Sequence, residues 1–193
     1  MNVQKGISVF AFLGICGAAL FATVPLWYGL WQETLFLTTV DITAHTLLLM
    51  GMIGIYFANA EKLGNFGLIS GILLIPGFVF HIFMKAASGF FKPILFEYAP
   101  QVLANGTVPS PLAEIINVSM ILFPLSIFLF GIAIAVSKMA QRKIGFLLMF
   151  SPFGFLVPFG VFISPLLFSF IVISLAYPIV SGKNKNPEWS LQG

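Results

Sequence analysis

From Ile144 to Gly182 the chain runs without a single charged side chain. As one α-helix this stretch would be about 58 Å long, about twice the hydrocarbon thickness of a bilayer. A soluble core of this size would need charged surface to shield it. Only 8% of the 193 residues are charged and 59% are hydrophobic, against about 25% charged in an ordinary soluble domain. The sequence therefore predicts an all-α polytopic membrane bundle, with residues 1–193 forming a single transmembrane domain.

Charges mark where the helices leave the lipid, because one at the bilayer centre costs about 2.5 to 3.5 kcal/mol. Six spans are expected, at about 7–28, 42–60, 63–84, 113–136, 144–159 and 163–181. The first lies between Lys5 and Glu33 and ends at Pro25, Trp27, Tyr28 and Trp31. A lysine before an apolar run also resembles a secretory signal. This run is longer than such signals carry and lacks a small-x-small cleavage site, so it is expected to be retained. The second opens after Thr38-Thr39-Val40-Asp41, a plausible helix start. Only Glu61 and Lys62 separate it from the third, which makes the two an antiparallel hairpin. For the fourth, Ser110 is expected as N-cap and Pro111 as the first helical residue.

The uncharged run from Ile144 to Gly182 has to be shared by two helices. Pro158, Gly160 and Pro165 place the break at 159–163. The fifth span is short and contains Pro152, which suits a kink or a partly re-entrant path. An outer loop at 85–112 is too rich in Pro, Asn and Gly to span. Its Phe90, Phe91, Ile94, Leu95, Phe96 and Tyr98 suit a helix lying along the interface.

Orientation follows from lysine and arginine. Lys5, Lys62, Lys138, Arg142, Lys143, Lys183 and Lys185 fall on one side, Lys85 and Lys92 on the other. The expected location is a bacterial cell (inner) membrane with both termini cytoplasmic and 183–193 a short polar cytoplasmic tail. Sequons at Asn105 and Asn117 would matter only in a eukaryotic secretory pathway. The net charge of +3 comes from scattered basic residues, which predicts no nucleic-acid partner. Cys16 is the single cysteine and reads as a small apolar residue. The expected partners are the lipid bilayer, together with another membrane protein or a second copy of the chain.

Small residues at close-packing spacing, Gly14 with Ala18, Gly54 with Ala58 and Gly67 with Gly71, are expected at helix contacts. Sliding the chain along itself superposes Lys62-Leu63-Gly64 on Lys143-Ile144-Gly145. That matches a duplicated hairpin, and equally any two hairpins with basic inner turns.

One constellation carries chemistry. If the hairpin of spans two and three turns about Leu63, His45 and His81 are equally far from the turn along the two arms. Asp41 and Lys85 are likewise equidistant from it, each one helical turn beyond its histidine. Asp41 shares a helix face with His45, and His81 with Lys85. Glu114 starts span four near the same level, with Asn117 slightly further in. Asp41, His45, His81, Lys85, Glu114 and Asn117 thus form a candidate polar or ligand site at the outer ends of spans two, three and four. It can be a structural polar cluster, a proton relay, or a metal or haem site using His45 and His81. No phosphate loop, His-Glu-x-x-His, nucleophile elbow or dinucleotide fingerprint occurs. The leading expectation is a non-enzymatic accessory or a small-ligand or lipid-binding bundle with no cofactor. The alternative is a membrane redox protein holding haem or a transition metal between the two histidines.

Overall fold

A computed structural model describes residues 3–30, 35–102, 109–156 and 159–183, and within them every regular element is helical. α1 covers Val3–Leu30, α2 Leu35–Ala86, α3 Lys92–Tyr98, α4 Leu112–Val136, α5 Arg142–Phe150 and α6 Gly160–Val180. Trp31, Glu33, Asn105, Pro158 and the tail beyond Lys183 lie outside the described residues.

α2 is two helices. At Gly64 the backbone turns to φ 63° and ψ −162°, a conformation open almost only to glycine. A Cβ there would meet nothing within 4 Å, so the requirement is set by the backbone and not by a neighbour. His45 and His81 would be about 54 Å apart on a straight helix, yet their ring centroids are 4.8 Å apart. The arms 35–63 and 65–86 therefore form an antiparallel hairpin.

The first arm starts well before the expected 42, because Leu35, Phe36 and Leu37 extend the apolar run and Asp41 is neutralised inside the bundle rather than ending the helix. The second arm runs on through a π turn at Ala87–Phe91 into α3. There Phe91, Ile94, Phe96 and Tyr98 are all more than half exposed.

Four helical segments are long and apolar enough to cross a membrane, Val3–Trp27, Leu35–Tyr98, Leu112–Val136 and Phe162–Val180. The expected fifth span is not among them. α5 has nine residues and passes into a 3-10 turn at Ser151–Leu156, where Pro152 has no N–H to continue the helical ladder. The Ser164 hydroxyl donates to the Ser151 carbonyl at 2.8 Å, which pins this turn to α6. α6 itself starts after Phe159, a left-handed residue at φ 61°.

α1 packs along the first arm of α2, α4 along the second, α6 against α1, and α5 against α4. The core is a continuous apolar cluster that includes Leu48, Met52, Ile55, Leu74, Phe78, Ile127, Phe130, Ile171 and Leu175. Outside it the helices present Phe12, Phe57, Ile69, Ile72, Phe83, Ile121 and Phe170 to the surroundings. So large an apolar exterior belongs in lipid and not in water.

Glycines set how closely the helices approach. A Cβ on Gly14 would run into the backbone of Gly51, and one on Gly54 would come within 2.8 Å of the Ala11 amide nitrogen. Ala18 is fully buried and Ala58 packs against the core. Gly71 faces the Tyr56 ring of the opposite arm, and Gly67 lies against the side chain of Leu63, the last residue of the first arm. The superposition of the two basic turns fails at its anchor. Gly64 makes the first turn, but Gly145 lies inside α5, pressed against Ala135 and Gly131 of α4, and the second turn falls at 137–141. At the start of α4, Ser110 does not cap the helix. Its hydroxyl donates instead to Glu114 Oε1 at 2.6 Å, and helix begins at Leu112.

Candidate functional site

Asp41 is completely buried on the first arm of the hairpin, one helical turn nearer its open end than His45. Burial of a carboxylate is tolerated only with partners, and two are in place. Lys85 on the second arm brings Nζ to 2.9 Å from Asp41 Oδ2. His45 Nδ1 stands 3.0 Å from Asp41 Oδ1 and 2.8 Å from the Asp41 main-chain carbonyl. Both of these atoms are acceptors, which assigns a proton to Nδ1 and, in the neutral tautomer, leaves Nε2 as an acceptor.

His81 faces His45 across the hairpin with a 45° tilt between the rings. α4 supplies its other contacts. Phe123 stacks on the His81 ring at 3.9 Å with an interplanar angle of 14°, and Ser119 Oγ approaches His81 Nδ1 at 3.5 Å. Phe21 of α1 meets the His45 ring edge-on at 4.8 Å and Phe168 of α6 at 6.1 Å. The two imidazoles are thus bracketed by phenylalanines of α1 and α4, with Phe168 of α6 standing behind Phe21.

Of the six residues expected from the sequence, four meet: Asp41, His45, His81 and Lys85. Glu114 and Asn117 do not join them. Both are exposed on α4, and Glu114 is taken by Ser110. Ser119, completely buried, occupies the place expected for them. As the second sequon's serine it is enclosed in the bundle. Phe21, Phe123 and Phe168 could not be singled out among 23 phenylalanines, because nothing in a sequence tells which way a helix face is turned.

Below this cluster lies a cavity of about 390 Å³. His45, His81, Lys85 and Ser119 supply its polar rim. Phe21, Val24, Phe123, Ile127 and Phe168 supply apolar wall, and four prolines from four elements, Pro25, Pro124, Pro152 and Pro165, also border it. The turn that follows α5 therefore forms part of the cavity wall, since Ser151 and Pro152 are in its lining. Among the described residues no three His, Cys, Asp or Glu side chains are grouped so as to hold a metal ion. Rings whose centroids are 4.8 Å apart also leave no room for a haem between them.

Comparison finds no matching family model, no matching curated protein and no matching solved structure. The fold itself defines the class. This is a helical protein whose apolar segments are those of a membrane protein.

The two histidines should be energetically coupled. Removing either ring opens the same stack, so His45→Ala and His81→Ala should be non-additive by about 0.5 to 3 kcal/mol in a double-mutant cycle of unfolding in detergent. Additive losses would mean that the rings do not share a contact.

Proposed function

We propose that this chain is a multi-pass membrane protein that binds a small amphiphilic molecule in the cavity beneath Asp41, His45, His81 and Lys85, without itself catalysing a reaction. The observation that carries this reading is the cavity. Its volume of about 390 Å³ falls in the range of about 300 to 1,000 Å³ usual for ligand pockets, and a mostly apolar wall with a few converging polar groups is the usual composition of such sites. A haem or metal site on the histidines has less support, because Asp41 is committed to Lys85 and to His45 Nδ1.

Six passes fit this reading, the fifth being composite. Nine α-helical residues and six in a 3-10 turn advance about 25 Å, most of a hydrocarbon thickness. With both termini cytoplasmic, the cluster lies toward the outer leaflet. In a Cys16→Ser background, Tyr98→Cys should then react with an impermeant thiol reagent on intact cells and Lys138→Cys only after the cells are opened. Labelling in the reverse order would move the site to the inner leaflet.

Native mass spectrometry of the protein, released from its membrane in mild detergent, tests the ligand reading. Wild type should carry one small amphiphile. Ser119→Leu and Val24→Phe, which fill the cavity from different walls, should each lose it while melting cooperatively. An adduct retained by both folded variants would overturn the proposal.

A further inference from the structure

Charge, proton placement and backbone chemistry at the cavity all favour one kind of ligand head. Asp41 and Lys85 neutralise one another at 2.9 Å. An anionic ligand would have to draw Lys85 away from a completely buried carboxylate, and a cationic one would have to approach the Lys85 ammonium. Charged heads are therefore disfavoured in both signs.

Beside the His81–Ser119 pair, three kinds of uncharged group at the cavity offer acceptors. His45 is 1% exposed, its Nδ1 proton is directed at Asp41, and its Nε2 has no hydrogen-bond partner among the described residues. Pro25 and Pro124 lie within α1 and α4 and have no N–H. The carbonyls one helical turn earlier, those of Phe21 and Met120, therefore lack their helical donor, and both residues border the cavity. The Ser164 hydroxyl spends its proton on the Ser151 carbonyl, which leaves Ser164 Oγ able only to accept.

Resting on the ligand-binding reading above, we infer that the cavity selects uncharged amphiphiles whose head donates a hydrogen bond, the chemistry of a lipophilic alcohol or phenol, with His45 Nε2 as the principal acceptor. The tail lies among Phe21, Phe123 and Phe168. An ether of the same length fills the same space but offers no proton, so the acceptors it buries stay unsatisfied.

Four probes with matched tails separate the possibilities: 1-decanol, methyl decyl ether, decanoate and decylammonium. Their saturable binding is measured on the full chain in lipid nanodiscs, with the cavity-filled Ser119→Leu and Val24→Phe proteins giving the non-specific baseline. 1-Decanol should bind about tenfold more tightly than each of the others. His45→Leu should bring the alcohol down to the level of the ether. Equal binding of alcohol and ether to wild type, or tighter binding of decanoate or decylammonium, would overturn this inference and leave the ligand cavity standing. Saturable binding of none of the four would remove the cavity reading and the inference with it.

Discussion

Lys85→Met should cost about 3 kcal/mol of stability, the low end of the roughly 3 to 5 kcal/mol lost when one partner of a buried ion pair is removed. The low end applies because the Lys85 side chain keeps 31% of its exposure while that of Asp41 keeps none. The cost arises in the carboxylate left behind in an apolar bundle, and not in the lost lysine. Replacing both partners, Asp41→Leu with Lys85→Met, should therefore recover most of the loss, since a buried pair exchanged for apolar residues of similar size is often neutral. Unfolding in detergent reads both effects. A loss well under about 1 kcal/mol for Lys85→Met would show a solvent-screened pair, and would weaken the case for a water-poor site.

Gly51→Ala should destabilise by about 3 kcal/mol, although alanine is the better helix former by about 1 kcal/mol. The reason is what the methyl group meets. At Gly51 it would collide with the backbone of Gly14, and no rotamer change relieves a contact between two main chains. Gly71→Ala should cost far less, because there the obstacle is the Tyr56 ring, which can turn aside. A stabilised Gly51→Ala protein would mean that α1 and the hairpin stand farther apart than described.

These two predictions mark what the sequence made legible. Depth in the membrane was readable, because charges and turns fix where along its axis each residue lies. Counting from Leu63 put Asp41 opposite Lys85 and His45 opposite His81. The turn in fact sits at Gly64, which offsets the partners within each pair by about 3 Å of rise. The length of Lys85 and the breadth of the imidazole rings absorb that offset.

Rotation about each helix axis was not readable. Glu114 and Asn117 had suitable depth and chemistry, but α4 turns Ser119 and Phe123 inward instead. For the same reason Gly51 was not among the small residues expected at contacts, since its importance comes from Gly14 of another helix lying against it. The short α5 and its 3-10 continuation depended on Pro152 and on the bond from Ser164 back to Ser151, a contact between separate elements. Pro152 alone suggested a break without saying whether the chain would kink, turn back or cross.

A crystal structure grown from a lipidic mesophase tests the central claim most directly. The account predicts elongated density in the cavity between Phe21, Phe123 and Phe168, with its polar end within hydrogen-bonding distance of His45 Nε2 and with Asp41 still bonded to Lys85. A cavity closed by side chains, or His45 and His81 on opposite faces of the hairpin, would contradict it.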